Sequence, residues 1–331
     1  MMNLPAAPRA LVGTDGKPCF GRYRGVTGGY GWDTLAAPFQ RNALSRRLRH
    51  KRWHFVALAT DELFCGLAIV DFGWGYSAFA YAFDRKRREV VAALSPIGLP
   101  GVSAQVGASA CAACHFRTRT GISIEIEPHG QGGYLLRLDA PGFKIEAGYR
   151  GKSQRLLAVG PVSDGGSVRA TQKSTALRLS GFAEAGGRRY ALDGGVASFD
   201  YSNGLLGRST DWRWVSAHSR ELGINLQAGY FGASENALWL DDTIIPLGAA
   251  RFEVEGDGPL AAWRVRTDDG LVDLRFTPEG ARRDAKQLLV ASSDLTQQVG
   301  TFDGWVKAAP GASAREVVRL TGLTEDYRAR W

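Results

Sequence analysis

Residues 212–232 read WRWVSAHSRELGINLQAGYFG, and residues 53–73 read WHFVALATDELFCGLAIVDFG. Laid over each other at a shift of 159, they share Trp53/Trp212, Val56/Val215, Glu62/Glu221, Leu63/Leu222, Leu67/Leu226, Phe72/Phe231 and Gly73/Gly232. That is seven identities in 21 positions without a gap. A second pair, LRLSGFAE (177–184) and VRLTGLTE (318–325), aligns at a shift of 141. The two matches occur in the same order, which points to one duplicated unit far longer than a solenoid repeat. The shift falls from 159 to 141, so the first copy carries about 18 extra residues, and 95–115 is the natural place for them. That tract, rich in Ala, Gly and Pro, reads as an inserted loop.

Outward from these windows the texture stays the same. WHFVALAT, LFCGLAIVDF, SAFAYAFD and REVVAAL follow one another, then GISIEIEP, YLLRLDA, FKIEAGYR and TALRLSGFAE. The second half continues with VASFDY, TDWRWVSAH, GINLQAGYF, ARFEVEG, AAWRVRT and GLVDLRF. These are short runs of period two bounded by Gly or charge, which predicts antiparallel strands. In the closing REVVRLTGLTEDYRARW, Val317, Val318 and Thr321 favour a strand over a helix. The 42 glycines suit many tight turns. The sequence therefore predicts an all-β chain of two lipocalin-like antiparallel β-barrels from an internal duplication, residues 1–186 and 187–331. A closed barrel removes its edge strands and encloses one apolar ligand.

Composition narrows the function. The formal charge is +8, and Arg46, Arg47, Arg49, His50, Lys51 and Arg52 form the main basic run. It reads as a solvated loop before a strand, with weak contact to an anionic membrane as the alternative. The aromatics lie in strands beside acids, so nucleic acid is not an expected partner. The opening MMNLPAAPRALVGTDGKP lacks an apolar run, no stretch nears 18 apolar residues, and four Cys make no disulfide framework. The expectation is a cytoplasmic protein with reduced thiols. Cys111, Cys114 and His115 spell C-x-x-C-H, but neither haem nor zinc finds its remaining ligands, so no metal or cofactor is expected. No P-loop, dinucleotide fingerprint or nucleophile elbow is present.

KRW (51–53), AIVDFGWGY (68–76), TDWRWVSA (210–217), GINLQAGYFG (223–232), ENALWLDD (235–242) and GLTEDYRARW (322–331) together resemble domain-of-unknown-function family 2804. More distantly, Asp200-Tyr-Ser-Asn-Gly204 ahead of Trp212-Arg-Trp214, with Leu320-Thr-Gly322 near the end, is similar to the lipocalin-like carotenoid hydratases and related AttH-like two-barrel proteins. That likeness implies a proton-donating acid at Asp200. Tyr201 stands where those proteins carry a His that supports the acid.

Asp200 is the candidate acid, and Glu235 the second carboxylate. In an aromatic barrel mouth burial would raise the pKa of Asp200 and ready it to protonate an alkene or carbonyl. The bland reading is an Asx-turn at Ser202-Asn203-Gly204. The shift of 159 puts Arg41 opposite Asp200, so the acid is expected in one copy only. Tyr76, Asp71, Asp211, Trp214, Asn225, Asn236 and Trp239 are the candidate ligand contacts. Alternation puts Trp212, Trp214 and Ser216 on one face of their strand, and Asp211, Arg213 and Val215 on the other. An apolar or lipid-like small molecule undergoing hydration, isomerisation or cyclisation is the expected substrate. A non-catalytic carrier with the same cavity, or a carbohydrate-active or carbohydrate-binding protein with Trp faces stacking on sugar, are the alternatives.

Overall fold

The computed structural model describes residues 4–99, 102–130, 132–151, 154–163, 165–287 and 291–331. Nearly all of its regular structure is antiparallel strand, in two curled half-barrel sheets. The first is built on β1 (His50–Ala59), β2 (Leu63–Asp71), β3 (Tyr76–Asp84), β4 (Glu89–Leu94), β5 (Ser123–His129), β6 (Gly133–Ala140), β7 (Phe143–Arg150), β8 (Val168–Ala185) and β9 (Val196–Leu205). The second is β10 (Ser209–His218), β11 (Leu222–Gly229), β12 (Ala237–Leu240), β13 (Thr243–Pro246), β14 (Ala250–Glu255), β15 (Ala262–Thr267), β16 (Val272–Gln287), β17 (Ser292–Val306) and β18 (Arg315–Arg330).

The order across the first sheet is β4-β3-β2-β1-β9-β8-β7-β6-β5, and across the second β13-β12-β11-β10-β18-β17-β16-β15-β14. Each strand has its counterpart nine places later, which is the duplication written in hydrogen bonds. Register agrees as well: Trp53 faces Val70, and Trp212 faces Gly229. The first sheet adds short strands at Gly21–Arg24, Leu156–Pro161 and Arg188–Ala191, and at Ile97–Gly98, Ala104–Gln105 and Cys114–Arg117. The last three fill the tract read as an inserted loop. The chain there takes 94 to 123 to join β4 to β5, where the second copy needs only 246 to 250.

Three expectations change. Arg188–Ala191 and β9 pair within the first sheet, so the sheets divide between Leu205 and Ser209, not at 186. The second sequence match falls on β8 and β18, which are not counterparts. The basic run is no loop: Ala43–Arg49 form helix α1, capped by the Asn42 side chain on the Ser45 amide, and it leads straight into β1.

Side-chain alternation gives each half-barrel a filled interior. Val56, Leu67, Ile69, Ile124, Leu136 and Ile145 pack inside the first, and Val215, Leu226, Val265, Leu274, Phe276 and Phe302 inside the second. The opposite faces of β1–β3 and β10 meet across a seam closed by Phe55, Phe64, Phe83, Trp214, Val299 and Leu323. β1 is thus covered on both faces, which explains its apolar run Phe55–Ala59, and β9 is buried along its whole length. Among the described residues the barrel interiors are packed, and a cavity lies in this seam. No described helix is long and apolar enough to cross a membrane.

Candidate functional site

Where β1 meets β9, Phe55 faces Asp200; where β10 meets β18, Trp214 faces Glu325. Phe55 and Trp214 are counterparts, so Asp200 and Glu325 are counterparts too. The expectation that the acid belongs to one copy is therefore overturned. A fixed shift of 159 fails here because β9 and β18 are offset by 125 (325 − 200). On the next strand out, Asp200 faces Lys173 and Glu325 faces Gln297.

The surroundings repeat the symmetry. Trp53 and Trp212 stack with their ring centres 6.1 Å apart and planes 10° from parallel. Each donates its indole N–H to its own copy's acid: Trp53 Nε1 to Asp200 at 3.3 Å, Trp212 Nε1 to Glu325 at 2.6 Å. Phe55 meets Trp214 edge to face at 5.4 Å. The acids differ in their outer partner. Lys173 Nζ lies 3.0 Å from Asp200 and 3.4 Å from Glu235, and Arg169 lies 3.2 Å from Glu235. Glu325 instead accepts the amide of Gln297 at 2.6 Å.

That one difference sets the charge states. Burial pushes the Asp200 pKa up, but Lys173 and Arg169, with hydrogen bonds from Lys173 and Thr171, bring it below the ordinary carboxylate value. The expected raised pKa at Asp200 is thus corrected: this carboxyl is an anion. Burial raises Glu325 to about 7, opposed only in part by Gln297 and Trp212, and the Asp200 charge adds to the rise. Asp200 also lies mid-strand in β9, not at a turn. Its neighbours Tyr201 and Asn203 point into the first half-barrel, where Tyr201 bonds the Gly107 carbonyl and Asn203 takes the indole of Trp32.

A cavity of about 150 Å³ opens along this seam. Its walls include the counterpart pairs Trp53/Trp212, Phe55/Trp214 and Asp200/Glu325, with Ala68, Val70, Phe72, Trp74, Phe79 and Leu295. Gln227 lines it, and its side-chain amide has no hydrogen-bond partner among the described residues. Arg169 lies 4.9 Å over the Trp53 ring and 4.6 Å over Phe231.

Of the residues expected from sequence, Asp200, Glu235 and Trp214 line this cavity. Asn225 and Trp239 line a small void behind it with Lys173, Ser174 and Asp200; Asn225 takes the Trp214 indole N–H at 2.8 Å. Asp71 is engaged by Arg52 at 2.5 Å and the Gly73 amide, and Tyr76 sits beside it on β3. Asn236 accepts the backbone N–H of Gln227 and donates to the Gly248 carbonyl, and Asp211 is exposed. These four lie away from the cavity walls. Sequence reasoning missed Glu325, Lys173 and Arg169. The available signal was the Thr-Glu of the last strand standing where Phe199-Asp200 stand in the first copy. Cys114 is buried against His54, 3.7 Å from Nδ1, and among the described residues no His/Cys/Asp/Glu group is arranged to hold a metal.

Residues 4–331 match the family model described as "Domain of unknown function (DUF2804)". No curated protein matches. Among solved structures, CghA crystallised with Sch210972 is similar at 14% identity and a TM-score of 0.55, with 85% of this chain and 88% of that chain covered. Kievitone hydratase from Nectria haematococca is similar at 11% identity and a TM-score of 0.50, over 92% of this chain and 95% of that one. At such identities the likeness is one of fold, the lipocalin-like pair of half-barrels.

Proposed function

This chain belongs to the DUF2804 family, and from the seam we propose that it is an acid–base enzyme acting on a small, neutral, largely apolar molecule. One observation carries the reading. Two counterpart carboxyls face one aromatic cavity, one beside a lysine and the other beside an amide, so one stays ionised while the other holds its proton near neutral pH. Environments that push paired acids apart assign the roles of acid and base. Glu325 donates the proton to an alkene or carbonyl of the substrate. Asp200, fixed by Lys173, Thr171 and Trp53, stabilises the positive charge that develops and accepts a proton from water or carbon. Gln227 supplies a donor and an acceptor that orient a polar group.

The cations Lys173 and Arg169 are already balanced by Asp200 and Glu235, which favours a ligand without charge. Aliphatic walls at Ala68, Val70 and Leu295 favour an apolar molecule, or the apolar end of a longer one, over a sugar. Acid-initiated hydration, isomerisation and cyclisation begin with the same proton transfer to an alkene or carbonyl. A hydratase among the proteins of shared fold fits the first of these.

Native mass spectrometry of freshly purified protein identifies a retained molecule, which is then returned to wild type and to Glu325→Gln. Wild type is expected to convert it, and the variant to bind it unchanged. If wild type releases it unaltered, the protein is a carrier. If Glu325→Gln converts it at the wild-type rate, Glu325 is not the acid.

A further inference from the structure

The rim of the seam cavity carries a second feature that acid–base chemistry does not use. Leu44 and Leu48 are 69% and 47% exposed on α1, one turn apart and so on one face of the helix. Ile97, Leu99 and Val102 are 51%, 69% and 75% exposed. Of these five, Ile97 lines the cavity, and α1 abuts the turn that lines it. The end of α1 rests on the β2–β3 turn: a Cβ on Gly73 would sit 2.2 Å from the Arg47 carbonyl, and Lys51 bridges the Leu48 and Phe72 carbonyls at 2.6 Å each. Phe72 and Trp74 of that turn line the cavity. On its other side Ile97 pairs with Ser77 of β3 and lines the cavity itself.

The charge along α1 and its flanks has one sign. Residues 34–60 hold Arg41, Arg46, Arg47, Arg49, Lys51 and Arg52 and no Asp or Glu. Lys51 is buried and Arg52 is paired with Asp71, so the whole run is not a free basic face. Arg46 and Arg47 have no acidic partner among the described residues, and exposed Arg330 lies on the cavity's rim. Exposed leucines beside unpaired arginines on one short helix are what an interfacial membrane contact requires. Grouped exposed apolar side chains mark an interaction surface.

We propose that α1 and the Ile97, Leu99 and Val102 rim dock on an anionic lipid bilayer, with the mouth of the seam cavity turned toward it. The apolar side chains enter the acyl boundary and the arginines meet the headgroups. Delivery of a ligand from the bilayer to the cavity rests on the function proposed above; the docking itself does not.

The test is co-sedimentation of the full chain with phosphatidylcholine vesicles, with and without phosphatidylglycerol, at low and high salt. Binding is expected only with phosphatidylglycerol and is weakened by salt. Arg46→Gln/Arg47→Gln should lower the partition roughly tenfold or more. Leu44→Ser/Leu48→Ser should reduce it with an unchanged melting temperature, because both side chains are exposed. Brominated lipid should quench wild-type tryptophan fluorescence, and Trp74→Phe should remove part of that quenching. Absence of binding to the anionic vesicles overturns the proposal. So does binding unchanged in both double variants, or binding of a labelled oligonucleotide in place of vesicles. Vesicle binding is read without turnover, so its outcome is independent of Glu325.

Discussion

Ionising Glu325 puts a charge among Trp212, Gln297 and Tyr327 with no cation in hydrogen-bonding reach among the described residues. Its folded pKa of about 7 lies above the ordinary 4.5, so the folded state keeps a proton that the unfolded chain releases. The stability this confers is complete below pH 4.5 and is lost as pH rises through about 7. Glu325→Gln has no such loss. From acid to above neutral pH, wild type should therefore lose about 3 kcal/mol relative to the variant, measured by urea unfolding across that range. The Gln side chain fits because Gln297 can turn its otherwise unpartnered Oε1 toward it. Gln297→Lys makes the converse case, since it gives Glu325 the partner that Lys173 gives Asp200. Its carboxyl should then ionise at neutral pH, the loss of stability toward alkaline pH should flatten, and any turnover should fall to the Glu325→Gln level. An unchanged pH profile in Gln297→Lys would show that the amide does not set the state of Glu325.

At the level of strands, the seam depends on small residues where the halves approach. Gly223 stands where the first copy has Phe64, and a Cβ there would lie 2.1 Å from the Thr175 methyl. Gly223→Ala should therefore cost about 1–3 kcal/mol by forcing β11 from β8, read by chemical denaturation. The strand content and the alternation at 212–216 were legible, because one face of β10 packs into a barrel and the other into the seam. The false match of β8 with β18 has a physical cause. Gly181 and Gly322 each sit where a neighbouring carbonyl, that of Glu146 or of Ser216, leaves no room for a Cβ. Both strands need a glycine at that place, so the Gly they share does not require them to be copies. Asp200 was legible as a candidate, but its charge state was not, because Lys173 lies 27 residues away in sequence (200 − 173) and 3.0 Å away in space. Glu325 was hidden by the changed offset of the last strand.

Across the whole molecule the two copies behave as a dimer fused into one chain. Counterpart residues meet across the seam, Trp53 on Trp212 and Phe55 on Trp214, as in an isologous pair of subunits. Neither copy can leave the other cheaply, because separation would expose Phe55, Trp214 and Leu323 and strip the buried Glu235 of Arg169 and Lys173. Arg85 of the first half adds a clamp, reaching Glu279 of the second through Nε at 2.9 Å and Nη2 at 2.8 Å. The two side chains are only 7% and 12% exposed. Arg85→Met leaves Glu279 without its cation, which should cost about 3–5 kcal/mol. Because the seam couples the halves, that cost should fall on the full chain. Calorimetry should show one transition in wild type and one, at lower temperature, in the variant, with stacked Trp53 and Trp212 changing fluorescence at the same temperature. Two separate transitions in wild type would mean that each half-barrel holds its own fold. The cavity would then sit in a joint free to open instead of a core that must melt before its acids meet water.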